Sequence, residues 1–394
     1  MSNSSLGSDR RSVLLGGTAG LLGLSGCATL AEPPTRLTAR ARAFLPPIRA
    51  SVDRLFDITV CLRPFRAAGP RLDAETIGDA LVVHNYGHGG SGWSLSWGSS
   101  TIAVEKAMAG SPREVAVIGC GALGITSAIL AQEAGAKVTI YARDLLFDAR
   151  SARATGSWTP DSRIALTSAV APGFGDLWER MARTSWKRYR RYLGLPGDPV
   201  EFSDRYFLSG GPADWRPPPN PRGDFEFAEY SGRIRDVVGH GSQFSAEDSP
   251  FPGISGRMAS QMQFNIADYG HTLMLDFLAA GGRFERREFH EAAELGQLKE
   301  KVVINCPGYG ARALMKDDSI VPVRGQIGWL IPQPEVRYGL YYKGVSVVPR
   351  RDGMVVQQVS GGDMVGYGDD REVIDRPESE AGVRTLAKLF SPAQ

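Results

Sequence analysis

Apolar and polar positions follow two rhythms along this chain, and the clearest strand signal opens a strand–turn–helix–strand run. Glu114-Val115-Ala116-Val117-Ile118 is a short, β-branched apolar run that reads as a buried strand, and it passes directly into Gly119-Cys120-Gly121-Ala122-Leu123-Gly124. Ile125 to Gly135 continues as an alanine-rich helix, and Lys137-Val138-Thr139-Ile140-Tyr141 follows as a second strand. Shorter runs at 58–61 (ITVC), 81–83 (LVV) and 302–305 (VVIN) predict further strands, the second of them ending at a glycine-rich loop over 87–92. Trp97 to Met108 has helical spacing and is broken by Ala109-Gly110-Ser111-Pro112. Trp178, Trp186, Tyr189 and Tyr192 among many arginines predict an amphipathic helix, Leu273 to Leu278 another that Gly281-Gly282 ends, and Glu378 to Phe390 a last one. Pro217-Pro218-Pro219 with Asn220-Pro221 reads as an exposed loop. The alternation of strands and helices predicts an α/β fold.

The glycine run carries chemistry because of where it sits. Gly119 permits the tight turn, Gly121 lets backbone N–H groups approach a pyrophosphate, and Gly124 lets helix pack on strand, while the helix N-terminus favours anionic phosphates. That context predicts a dinucleotide-binding, Rossmann-like unit. With 394 residues, 42% of them hydrophobic and 22% charged, the chain is long enough for a large core in two lobes. Lys plus Arg (45) against Asp plus Glu (43) leaves +2, which argues against nucleic acid as a partner. Cys61, Cys120 and Cys306 have no paired spacing and read as small core residues, so no disulfide framework is implied. The histidines show no ligand spacing, and no metal site is expected.

The front of the chain reads as a targeting segment. Ser8-Asp9-Arg10-Arg11-Ser12-Val13-Leu14-Leu15 resembles a twin-arginine export motif, and the apolar run to Leu24 is too short and glycine-rich to span a bilayer permanently. Leu24-Ser25-Gly26-Cys27 looks like a lipobox, which predicts export to a periplasmic or membrane-anchored location with acylation at Cys27; plain cleavage nearby is the alternative. Residues 1–32 are thus expected to be the signal and the proline-containing 33–55 a linker, with the folded unit starting near Phe56.

Several strings together resemble the FAD-dependent D-amino-acid oxidases. They are His84 to Gly98 (HNYGHGGSGWSLSWG), the glycine run at 119–124, Ala154 to Pro160 (ATGSWTP), Asn305 to Gly310 (NCPGYG), Pro322 to Gln326 (PVRGQ) and Tyr341 to Pro349 (YYKGVSVVP), the last of which resembles the family's substrate strand. In that family the histidine–glycine stretch closes the chain, whereas here it precedes the glycine run, and the strand and arginine motif at 58–71 (ITVCLRPFRAAGPR) also stand in front. The resemblance therefore implies a circularly permuted member, with an FAD-binding domain over 56–160 (permuted segment 56–110) and 256–320. A mixed-sheet α+β substrate domain would take 161–255 and 321–394.

The same resemblance implies the site. FAD would be held by Gly119, Cys120, Gly121, Ala122, Leu123 and Gly124, by Arg143 and Asp144 at the adenosine ribose, and by Gly156, Ser157, Trp158, Cys306 and Gly308 beside the flavin. Gly89, Gly90, Ser91, Gly92 and Trp93 would meet the flavin's pyrimidine edge, their backbone N–H groups stabilising charge at N1 and the C2 oxygen. Arg63 would grip the substrate carboxylate as a bidentate fork, and Tyr342 aligns with a family tyrosine beside the substrate. A second family tyrosine is replaced by Ser346, so either Tyr341 substitutes or the pocket is larger and more polar. The implied reaction is hydride transfer from Cα–H of a D-amino acid to flavin N5, with imine hydrolysis to a 2-oxo acid and ammonia, and dioxygen reduced to hydrogen peroxide. Two alternatives stand beside it: a flavin-dependent amine or amino-acid dehydrogenase with another electron acceptor, and a lipoprotein that binds FAD or a small acid without turnover.

Overall fold

A computed structural model describes residues 45–211, 213–216 and 225–390. The export motif, Cys27 and the proline loop 217–221 lie outside the described residues.

The sheet that carries the glycine turn has six strands in the order β2 (Ala74–Ile77), β3 (Ala80–His84), β10 (Val302–Asn305), β4 (Glu114–Ile118), β5 (Lys137–Ala142) and β9 (Arg283–Arg286). All neighbours are parallel except β2 with β3. Parallel strands covered on both faces read as continuous apolar runs, and β4 shows why. Val115 and Val117 point into the core under helices α1 (Gly92–Ala107), α2 (Ala122–Glu133) and α4 (Ile266–Ala279), whereas Ala116 and Ile118 join the opposite cluster with Leu295, Leu298 and Leu314. Helix α3 (Phe174–Tyr189) packs on α1 through Trp178, Met181 and Ala182, all fully buried. It was expected in the substrate lobe, yet its apolar stripe belongs to the core above the glycine turn. Helix α1 begins at Gly92, five residues before the expected start, because its first turn is buried by Trp93 and Leu95.

Eight strands form the second sheet, in the order β1 (Leu55–Arg66), β11 (Ile320–Leu330), β14 (Gly353–Gln358), β13 (Val345–Arg350), β12 (Tyr338–Tyr342), β6 (Val200–Leu208), β8 (Gly256–Phe264) and β7 (Ser242–Phe244). Leu340, Val345, Val347, Met354 and Val356 share a cluster with Val383 and Leu386 of helix α6 (Arg376–Phe390), so α6 covers one face. The other face of β6, β12 and β13 carries Arg205, Tyr341 and Ser346 toward a cavity.

Four further differences from the sequence reading have local causes. Strand β1, expected with the front cofactor segment, pairs antiparallel with β11 along its length, while β3 and α1 join the six-stranded sheet and its core, so the front segment feeds both sheets. Strand β8 likewise sits in the eight-stranded sheet, paired with β6. The last residues of the expected linker are folded down: Ile48 is buried under the eight-stranded sheet, and the Tyr338 hydroxyl donates to Pro46 O at 2.8 Å. Residues 341–349 are a hairpin rather than one strand, turned by Lys343 (φ 45°) and Gly344 (φ 75°).

A buried polar seam ties the front segment to the glycine turn. Asn85 Nδ2 donates to Ser100 Oγ and Ser127 Oγ, both at 3.2 Å, Ser99 donates to Asn85 Oδ1, and Ser99 Oγ meets His88 Nε2 at 2.7 Å. His88 is fully buried with Nδ1 unpartnered, and burial pushes its pKa from 6.5 down to about 3. The unfolded chain takes up a proton on this ring near pH 6.5 and the folded chain does not, so the stabilisation is present above 6.5 and is lost as pH falls toward 3. We expect urea unfolding to show that loss as a slope of about 1.4 kcal/mol per pH unit between about pH 6 and about pH 4. The slope should flatten by about that amount in His88→Gln; equal slopes in the two proteins would refute the assignment.

Candidate functional site

Two cavities of about 310 and about 550 Å³ share Gly121, Ser151, Cys306 and Gly308 as a common wall, and together they form one trough between the sheets. The larger runs from the glycine turn to Arg143 and Asp144, past the ends of β4 and β5. The smaller lies against the cavity face of the eight-stranded sheet.

The glycine turn is built as its sequence suggests. Gly119 has φ 91°, and Gly121 caps α2 without offering a side-chain acceptor, so the amides of the first helical turn face the trough apart from Ala122 N, which donates to Ser151 Oγ at 3.0 Å. A Cβ at Gly121 would come within 2.8 Å of Ser151 Oγ, so the glycine keeps the passage open. Arg150 and Arg153, both pairing with Glu372, flank this passage, and Arg150 Nε is buried with no partner. Arg143 is tied to Asp144 at 2.9 Å and to Glu288 at 3.1 Å, which holds that pair at the far end of the larger cavity.

Arg63 reaches the smaller cavity from β1. Its guanidinium donates to Val323 O at 3.4 Å, and among the described residues no carboxylate lies within ion-pair distance of it. Burial holds its pKa below the usual arginine value. The guanidinium lies flat over Gly325: a Cβ there would stand 2.2 Å from Nη1 and 2.3 Å from Nη2. Gly89, Gly90, Gly92 and Trp93 line the same cavity. The amides of Gly90 and Ser91 are already donated to Ser162 O and His88 O, which narrows the expected donor set to Gly92 and Trp93 at the start of α1. The Ser91 hydroxyl donates to Ser162 O at 2.9 Å and so braces the turn.

Strand parity decides the tyrosines. Tyr342 falls on the α6-covered side with Leu340, its ring against Gly210, while Tyr341 faces the cavity opposite Ser346. The cavity-facing position expected at 342 is therefore occupied by Tyr341. Gly156, Ser157, Cys306 and Gly308 line the smaller cavity with Ala122 and Leu123, whereas Trp158 is turned away and packs on Trp186 with ring centroids 4.8 Å apart. Cys120 borders the larger cavity while its buried thiol meets Met274 Sδ at 3.8 Å, and Gly124 packs against the Gly119 carbonyl.

Sequence reading missed Ser151, Arg150, Arg153, Arg163 and Arg205, which also line the trough. Arg163 is committed to Asp363 at 2.8 Å. Arg205 is not paired with any carboxylate among the described residues; it donates to Ser157 Oγ at 3.0 Å and to Ser346 Oγ. Its only sequence signal was a charged residue in the strand VEFSDRYFL.

Residues 114–394 match a family described as FAD dependent oxidoreductase. A D-amino-acid oxidase of Streptomyces coelicolor is 29% identical over 221 residues, covering 54% of this chain and 58% of that protein. One of Rubrobacter xylanophilus is 29% identical over 216 residues, covering 54% and 57%. The chain thus spans a little over half the length of these curated relatives. Among solved structures, L-proline dehydrogenase from P. horikoshii aligns with a TM-score of 0.45 at 11% identity, over 71% of this chain and 76% of that one. Glycine oxidase from Geobacillus kaustophilus aligns with a TM-score of 0.44 at 12% identity, over 70% and 77%.

The trough fits FAD. It extends through two cavities, the wall they share includes a helix N-terminus beside an arginine nitrogen with no partner among the described residues, and a Cβ at Gly121 would crowd Ser151 Oγ at 2.8 Å. Gly121→Val is expected to purify with its yellow colour reduced at least tenfold and its far-ultraviolet circular dichroism intact. Full flavin occupancy in that variant would place the phosphates elsewhere.

Proposed function

The chain belongs to the DAO family of FAD-dependent oxidoreductases, and on that premise we propose that it oxidises D-amino acids to 2-oxo acids, releasing ammonia and hydrogen peroxide. The observation that carries this reading is Arg63: a guanidinium held flat at the smaller cavity of the trough, with no carboxylate partner among the described residues. The D-amino-acid oxidases that match over half of the chain support the choice of substrate.

When bound, FAD supplies the two-electron acceptor for a hydride from the substrate Cα. Arg63 receives the substrate carboxylate in a two-pronged hydrogen bond, and Gly325 keeps the guanidinium plane in register with it. Tyr341 borders the cavity from β12 of the same eight-stranded sheet. Leu62, Phe264, Ile327 and Val359 supply apolar wall and exclude water around the reacting carbon. Among the residues lining the cavity there is no Asp or Glu, and its one imidazole, His88, is held neutral with a pKa of about 3. A strong general base is therefore missing from the wall, which favours departure of the Cα hydrogen as hydride from a neutral amine over its removal as a proton.

The order of the pieces supports reading the chain as circularly permuted. The family match begins at residue 114, and the segment ahead of it contributes β1 to one sheet and β3 to the other. Export with acylation at Cys27 is proposed on the sequence of residues 8–27 alone.

Anaerobic mixing of the FAD-loaded protein with a D-amino-acid panel tests the reading, with peroxide followed separately in air. Bleaching of the flavin with peroxide release is expected; bleaching without peroxide would make the protein a dehydrogenase. Arg63→Ala should keep its flavin and lose at least about a hundredfold in the second-order rate of bleaching. Gly325→Ala should fall in the same direction, because its Cβ occupies the guanidinium's place. Unchanged rates in both variants would remove Arg63 from the site.

A further inference from the structure

We propose, resting on the amino-acid-oxidising reading of this same cavity, that the preferred substrate carries a second carboxylate on its side chain and that Arg205 receives it.

Arg205 is lodged by three strands. It leaves β6 opposite Gly339 of β12, and a Cβ at 339 would stand 3.2 Å from Arg205 Cγ, so the missing side chain gives its stem room across the neighbouring strand. Beyond β12 the guanidinium meets Ser346 of β13, with Ser157 as its second partner. An aromatic ring at 346 would fill the space the guanidinium uses. The serine that replaces the family tyrosine and the arginine on β6 are therefore parts of one arrangement.

The arrangement lacks a negative charge. Arg63, Arg163 and Arg205 all line the cavity, and among the described residues no Asp or Glu does. Arg163 has Asp363, and Arg63 is matched by the α-carboxylate of the proposed substrate. Arg205 is left with two neutral hydroxyls, and burial lowers its pKa only to about 10, so it is charged at neutral pH. A half-buried cation without a counter-ion is unfavourable, and a ligand carboxylate relieves that cost. The FAD phosphates are not that counter-ion, because Arg205 is absent from the wall of the larger cavity beside the glycine turn. Arg257, its nearest cationic neighbour, stacks on Phe207 at 3.7 Å and adds positive charge rather than cancelling it. An uncharged substrate side chain would leave Arg205 as it stands, whereas a carboxylate completes both its charge and its bidentate geometry.

Two measurements on the FAD-loaded full chain test this. In the first, calorimetric titration compares succinate with butyrate, two redox-inactive acids of equal chain length. Succinate is expected to bind at least tenfold more tightly, with the difference lost in Arg205→Leu and partly restored in Arg205→Lys. Equal affinities in the unaltered protein overturn the proposal, whatever the variants do. In the second, flavin bleaching compares D-aspartate and D-glutamate with D-2-aminobutyrate and D-norvaline. The acidic pair is expected to lead by about tenfold to a hundredfold in second-order rate, and Arg205→Leu to reduce that ratio at least tenfold. Bleaching by the uncharged pair with no acidic preference overturns this proposal and leaves the oxidase reading intact. If no D-amino acid bleaches the flavin while succinate still binds through Arg205, the oxidase reading falls and the dicarboxylate site stands.

Discussion

The antiparallel pairing of β1 with β11 is the interaction on which the site depends. It runs from Leu55 opposite Leu330 to Arg66 opposite Ile320, and through it Arg63, from the front of the fold, meets a cavity whose wall also holds Gly325, Ile327, Tyr341 and Ser346 from far along the chain. Backbone hydrogen bonds fix that register, and one position of slip would turn Arg63 to the other face. Gly325 then sets the last degree of freedom, since the guanidinium can lie flat only where the opposing strand has no side chain. The seam of Asn85, Ser99, Ser100 and Ser127 does the same for the other half of the front segment, holding the turn before α1 against α2.

The cofactor half of the molecule was legible because its signals are local. Strand, glycine turn, helix and strand follow one another within a few dozen residues, and each element's period agrees with its neighbours. Arg63 was legible only through resemblance, since nothing within its own strand separates it from a surface ion pair. The tyrosines were misassigned by one position because parity depends on which face α6 covers, and because Lys343-Gly344 turns one expected strand into two. Arg205 was illegible for a stronger reason. Its surroundings come from β6, β12, β13 and the loop at Ser157, and no single-strand pattern records a register across three strands. The docking of residues 45–54 was hidden by prolines that suit a tether, although Ile48 is only 2% exposed.

Charge is distributed with a purpose consistent across the trough. Cations occur along its whole length, from Arg143 through Arg150 and Arg153 to Arg63, Arg163 and Arg205. In the larger cavity Asp144, Glu288 and Glu372 share the wall with the arginines they pair, whereas no described carboxylate lines the smaller one, where Arg163 is answered by Asp363 from outside the wall. A neutral histidine at the centre fits the same pattern, because a charged imidazole there would lack a partner.

The seating of Arg205 over Gly339 has an evolutionary corollary. Moving this guanidinium into a relative that has a side chain at 339 and a ring at 346 would require all three exchanges at once, since the arginine alone collides and the two vacated positions alone leave a void. The three positions are thus coupled, and a change at one alters the cost of change at the others. Sequences along such a lineage should therefore change at these three strands together, and drift at any one of them is held back by the other two.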